Sequence, residues 1–422
     1  MILLSLWLAL LAPETSPPSK SNFELRREMR EAYKRGDKPE FLSITQELVR
    51  RTPGEVFNLY NLASAQSLNG QGEAAVRSLE GVLAHRVAYD LDADKNFEPI
   101  RRLPGYEAVR DRMNALRKET ITSGATRAFT IPEKGFVAEG VAFDSKTRSF
   151  FVASIRHRRI VRIDPSGRIA DFVPAGRDGL RSAMGMRVDP DRRTLWVASQ
   201  ALPSMDGYQK EQPVSAAVFE FDVDSGRLRK EYVPSPGVEP PAFDDLTVGT
   251  DGTVFINDGE TSRIWRIPPG GKLEIFATFP NFSGSQGLAL SSDGKTLYAS
   301  DYRGLFAIDL ARRRAIPLGV PADLALSGID GLVRYEHSLI AIQNGITPHR
   351  VIRLDLASDG LSIAKARILE MNHPDFDEPT LGVVVDSTLY FSADSQGGKY
   401  LDDQNPIRPE DARDAVILKL PL

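Results

Sequence analysis

The chain has 422 residues, 41% of them hydrophobic, which is enough to bury more than one core, and its formal net charge of -4 gives no field that would draw in nucleic acid. It contains no cysteine, so disulfides, thiol catalysis and thiolate metal sites are excluded.

Residues 1–12 are continuously apolar but too short to span a bilayer. With the stretch that follows them they read as a signal peptide, residues 1–19, which predicts export to the periplasm or beyond and a mature protein with no membrane span. No Lys or Arg precedes the apolar run, and the competing reading is a disordered or buried N-terminal segment.

Residues 22–118 carry helical periodicity. Met29, Gly36 and Leu48 are echoed by Ala63, Gly70 and Val82 at an offset of about 34 residues. The run Leu59-Tyr60-Asn61-Leu62-Ala63-Ser64-Ala65, with Gly70-Gln71-Gly72-Glu73-Ala74-Ala75 after it, resembles a tetratricopeptide repeat, with small residues where paired helices must approach. Residues 92–113 read as a cap. Nothing in this segment has catalytic spacing, so it is expected to be a docking surface for a protein partner or a structural lid.

From Glu139 onward a short phrase recurs six times, beginning at Glu139-Gly140, Met184-Gly185, Asp245-Leu246, Gln286-Gly287, Asp330-Gly331 and Leu381-Gly382. Each is a first strand, followed by a turn such as Asp251-Gly252 or Asp293-Gly294 and then a second apolar, β-branched run. A period of roughly 40–60 residues with three or four strands per unit is the mark of a β-propeller. The expected fold is therefore an all-β, six-bladed propeller over residues 125–422, preceded by the α-helical, tetratricopeptide-like domain. The last blade has only three strands of its own, so residues 127–131 are expected to supply the fourth and close the ring, which removes the exposed edges.

These phrases, in this order, resemble the senescence marker protein/gluconolactonase family of six-bladed propellers. The residues that carry the likeness are Glu139-Gly140-Val141-Ala142-Phe143-Asp144, Phe243-Asp244-Asp245-Leu246, Ser285-Gln286-Gly287-Leu288-Ala289 and Ile329-Asp330-Gly331-Leu332. It covers residues 135–422. The resemblance implies that Glu139 and Asp330 match two acidic metal ligands, and that Gln286 stands where Asn is usual. It also implies that Asp244 replaces a substrate-contacting Asn, and that Ala242 occupies the place of an Arg that binds sugar acids. Loss of that Arg makes an anionic substrate unsuitable.

Propeller geometry leads to the same residues. One residue per blade, at the start of the first strand, points at the channel axis: Glu139, Met184, Asp244 or Asp245, Gln286, Asp330, and Thr380 or Leu381. Carboxylates crowded there repel one another, and a hard cation with oxygen ligands, Ca²⁺ above all, relieves the repulsion. With such a metal on Glu139, Gln286 and Asp330, lactone hydrolysis is the natural chemistry, and Asp330 is the residue expected to activate water.

Second strands end near the same face in Asp258, Asp301, Asn344 and Asp394, of which Asp258, Asp301 and Asn344 join Asp244 as substrate-binding candidates. The two longest connections on that face, residues 200–215 and 394–413, are expected to overhang the site. They bring Tyr208, Lys210, Gln396, Lys399, Tyr400, Asp402 and Asp403. The five histidines lack metal-ligand spacing and read as surface residues, and neither a nucleophile elbow nor a phosphate-binding loop is present. Two functions stay open: an exported, metal-dependent hydrolase of a small neutral cyclic ester, or a non-catalytic exported propeller that binds a ligand or peptide while the helices bind a protein partner.

Overall fold

The computed structural model describes residues 20–209, 216–279, 282, 284–301, 303–321, 323–401 and 411–422. The signal-peptide expectation, residues 1–19, lies outside them, as do Lys210, Asp402 and Asp403. Among the described residues no helix is long and apolar enough to cross a membrane.

Five α-helices come first: α1 (Asn22–Lys34), α2 (Lys38–Arg51), α3 (Val56–Leu68), α4 (Gly72–Ala84) and α5 (Tyr106–Leu116). Local signals set their starts. Ser21 and Glu24 form a capping box on α1, and the carboxylates of Asp37 and Glu55 cap α2 and α3. The third helix starts 34 residues after the first and the fourth 34 after the second. Ala63, Ser64, Ala65 and Ser67 are buried on α3, where small side chains let the neighbouring helices approach. A 3-10 turn, Lys95–Ile100, precedes α5, and its Phe97 is fully buried under Tyr60.

The remainder is a ring of six four-stranded antiparallel sheets. The innermost strands are Ala138–Asp144, Ser182–Asp189, Leu246–Val248, Leu288–Leu290, Ile329–Tyr335 and Gly382–Val385. In the turns, Gly252 and Gly294 take positive φ (91° and 67°), while Asp251 and Asp293 accept backbone N–H groups two residues on. Ring closure is as expected from the three-stranded last blade: Thr126–Lys134 pairs antiparallel with Asp414–Pro421, matching Thr130 to Val416 and Ile131 to Ala415. The N-terminal strand thus completes the C-terminal blade.

The glycine of the repeated phrase has a packing cause. A Cβ on Gly140 would stand 2.3 Å from the Met184 carbonyl oxygen, one on Gly287 2.6 Å from that of Asp330, and one on Gly331 2.5 Å from that of Thr380. At these three places the innermost strand touches that of the next blade, and the preceding residues, Glu139, Gln286 and Asp330, line the channel mouth. The third blade departs from the pattern, since Asp245 occupies the glycine place. Its carboxylate is fully buried, within 3.4 Å of Arg187 and of the Leu288 N–H. Polar ties join neighbours as well: Gly185 N–H donates to Asp244 O (2.8 Å), Ser300 Oγ to Ile329 O (3.1 Å) and Ser392 Oγ to Ala138 O (2.9 Å).

The helices are seated on the propeller through one continuous apolar core, in which Leu79, Val82 and Met113 join Ala325, Ile346 and Met371. Arg350, fully buried, spans the junction, donating to Gln343 Oε1 (2.7 Å) and to the carbonyls of Ala325 and Arg86 (both 3.2 Å). His85 also lies buried here, with Nδ1 2.8 Å from the Gly81 carbonyl, so its assignment to the surface is corrected. Helix burial against the blades, which local sequence does not encode, is the reason.

Candidate active site at the channel mouth

The starts of the innermost strands open on a cavity of about 570 Å³. Glu139, Asp244, Gln286, Asp330 and Thr380 line it from five strand starts, and Met184 from the sixth. Of the two alternatives in blade three, Asp244 faces the cavity and Asp245 does not; in blade six it is Thr380, not Leu381. The other walls include Asp301, Asn344 and Glu378. No Lys, Arg or His among the described residues lines it.

Burial without basic neighbours sets the electrostatics. Glu139 is pushed well above the carboxylate range, first by desolvation, then by the charges of Asp330, Glu378 and Asp244. Asp244 is raised to about 8, again chiefly by burial and then by Asp330, with the hydrogen bond from Gln200 Nε2 (2.6 Å) acting in the opposite sense. Asp330 is raised by burial and by Glu378, while the Asn344 amide, donating to its Oδ2 at 2.5 Å, favours the ionised form. The carboxyls therefore hold protons up to unusually high pH, or share a cation.

The donors are all oxygen, which suits a hard ion such as Ca²⁺. Among the described residues no three Asp, Glu, His or Cys side chains already meet closely enough to grip a metal. The site is thus a ring of separated donors rather than a closed cage. Glu139 and Asp330 with the amide oxygen of Gln286 would supply two carboxylates and a carbonyl, leaving water to complete a calcium shell.

The substrate-binding candidates divide. Asp244, Asp301 and Asn344 reach the cavity. Asp301 also pairs with Arg303 Nη2 at 2.6 Å and accepts the N–H groups of its own turn. Asp258 is not in the cavity wall. Its carboxylate is occupied by the Ala242, Glu260 and Thr261 N–H groups, Thr261 Oγ1 and Trp265 Nε1 (3.0 Å), so it holds a turn together. Turn chemistry and site chemistry use the same residue type at strand ends, which is why the sequence offered it.

Both long connections reach the cavity, through Leu202 and Ser204 in one and Ser395, Gly397 and Gly398 in the other. The described ends of the second are tied to the blade: Gly398 N–H donates to Glu378 Oε2 (2.8 Å), Lys399 pairs with Asp377, and Gln396 bonds both ways with the Arg413 backbone. Tyr400 lies under the Arg156 guanidinium, 5.1 Å from ring centre. Two lining residues had no signal in the repeats. Glu378 stands four residues before the glycine of the last phrase instead of one, and Phe57 comes from the start of α3.

No family model matches the chain, and no curated protein matches it. Solved structures do. A gluconolactonase from Xanthomonas campestris is 17% identical over 69% of this chain and 88% of its own, with a TM-score of 0.47. A calcium-binding protein, regucalcin, from Agrobacterium tumefaciens is 16% identical over 70% and 93%, with a TM-score of 0.47. Virginiamycin B lyase from Staphylococcus aureus is 16% identical over 64% and 82%, with a TM-score of 0.45. Likeness at this level leaves the chemistry to be argued from the residues.

Proposed function

We propose that the channel mouth hydrolyses a small neutral cyclic ester with the help of a divalent cation, Ca²⁺ in the first instance, held by Glu139, Gln286 and Asp330. The observation that carries the reading is the crowding of Glu139, Asp244, Asp330 and Glu378 around one cavity whose described lining includes no basic side chain. When bound, the cation supplies Lewis-acid polarisation of the ester carbonyl and offsets the charge that develops on its oxygen. Asp330, oriented by Asn344, takes the proton of the attacking water as the new C–O bond forms. Asp244, held by Gln200, gives a proton to the ring oxygen as the old C–O bond breaks. An anionic substrate would meet several carboxyls and, among the described lining residues, no basic side chain. Export by residues 1–19 belongs to the same proposal, and would place the reaction outside the cytoplasm.

A second reading is a non-catalytic, ligand-binding propeller whose tetratricopeptide-like helices take a protein partner. It is favoured by the lack of a preformed metal cage among the described residues. Thermal melts with Ca²⁺ separate the two. The hydrolase reading expects Ca²⁺ to raise Tm by mass action, and Glu139→Gln to abolish most of the rise. A full rise in the variant would place the ion elsewhere, and no rise in the wild type would favour the second reading.

A further inference from the structure

We infer that the helical segment is the fixed apolar roof of the cavity and that Phe57 selects ligands carrying an aliphatic substituent beside the polar ring. This deepens the reading of the site as one for a neutral cyclic ester, and rests on it for the nature of the ring.

Phe57 lies in the first turn of α3 and lines the same cavity as Glu139 and Asp330. Its position is fixed from both sides. The Glu55 carboxylate accepts the N–H groups of Phe57 (2.9 Å) and Asn58 (3.1 Å), and its oxygens lie 3.2 Å from Arg26 Nη2 and 3.3 Å from Ser327 Oγ. Ser327 belongs to the propeller, three residues before Asp330. Between them Gly328 and Gly345 touch backbone to backbone, since a Cβ on Gly328 would stand 2.7 Å from the Gly345 carbonyl carbon. The wall shared by Phe57, Asn344 and Asp330 is thus built without side chains at those two places.

Further round the junction, Ala88 N–H donates to Thr347 O (2.8 Å) and Arg350 to Arg86 O. Helices bonded to the blades at several points, over a common core, make a roof rather than a swinging lid.

Volume and polarity then define the ligand. A bare lactone of six or seven heavy atoms needs well under half of the 570 Å³, at roughly 20–30 Å³ per heavy atom. The remaining wall includes Phe57, Ile155, Met184, Leu202 and Ile329, set among the carboxyls of the same lining. A ligand that joins a polar ring to an aliphatic substituent offers both kinds of surface to such a mixed lining, with Phe57 beside Asp330 as the contact for the substituent.

The test uses the full-length, calcium-loaded protein and two non-hydrolysable amides, 2-pyrrolidinone and 5-hexyl-2-pyrrolidinone, in calorimetric titrations. The hexyl compound should bind at least about tenfold more tightly, since several methylenes leave water. Phe57→Ala should reduce that ratio by about tenfold, and Phe57→Trp should weaken the hexyl compound alone by filling the space. A wild-type ratio near one, or a ratio unchanged in Phe57→Ala, overturns the inference. Parallel assays on γ-butyrolactone and γ-decalactone keep the two claims apart. Tight, Phe57-dependent amide binding without lactone turnover would support the roof while removing the hydrolase; turnover without chain-length preference would do the reverse.

Discussion

Asn344 donates its side-chain amide to Asp330 Oδ2 at 2.5 Å, joining the start of the innermost strand of one blade to the end of its antiparallel neighbour. The contact fixes the orientation of the carboxyl proposed to accept the water proton, and stabilises its ionised form. Asn344→Ala should therefore lower kcat by about tenfold or more, the worth of a hydrogen bond to a charged group, with little change in KM. Asn344→Asp should do greater harm, since it adds a carboxylate to a crowded ring. Steady-state kinetics on one lactone would measure both, and wild-type kcat in Asn344→Ala would remove this residue from the mechanism.

Much of this arrangement is legible in the sequence because repetition fixes both blade number and strand starts. Glu139, Gln286 and Asp330 each precede a glycine whose place is dictated by contact with the next blade, so their direction follows from packing. Where that contact is made differently, the reading blurs. Asp245 replaces the glycine, which left Asp244 and Asp245 unresolved, and the Glu378-Pro379 turn moves its carboxylate off the common position. Phe57 was invisible for another reason. Its role depends on how α3 docks, a relationship between residues about 270 positions apart that no local pattern records.

Asp244 gives a pH dependence of stability. Its carboxyl titrates at about 8 in the folded protein, against about 4 for an exposed Asp. Between those values the folded state holds a proton that the unfolded state has lost, so stability falls as pH rises from about 4 to about 8. Asp244→Asn cannot ionise and should escape this share of the decline. In metal-free buffer it should match the wild type near pH 4 and exceed it near pH 8, by roughly 2–5 kcal/mol. Denaturant titrations across that range decide; parallel profiles for the two proteins would mean that Asp244 ionises normally.

Asp258, offered by the sequence as a ligand-binding residue, should behave as a structural one. Asn in its place would set an amide N–H₂ among donors from Trp265, Thr261 and the Ala242 backbone. A loss of about 1–3 kcal/mol in stability is expected, with the affinity for a bound lactam unchanged once the protein is folded. A selective loss of lactam binding at unaltered Tm would return Asp258 to the site.

If the carboxyl ring at the channel mouth is hydrolytic, it releases protons from a neutral lactone, and a pH-stat reads that release directly. Wild-type protein and Asp330→Asn would be compared with Ca²⁺, with chelator, and after Ca²⁺ is restored. Turnover should disappear with chelator, return with Ca²⁺, and fall about 10²–10⁴-fold in Asp330→Asn, the range of general acid–base catalysis. Turnover at the spontaneous rate with calcium-loaded wild type, or equal rates for wild type and Asp330→Asn, would contradict a hydrolytic ring.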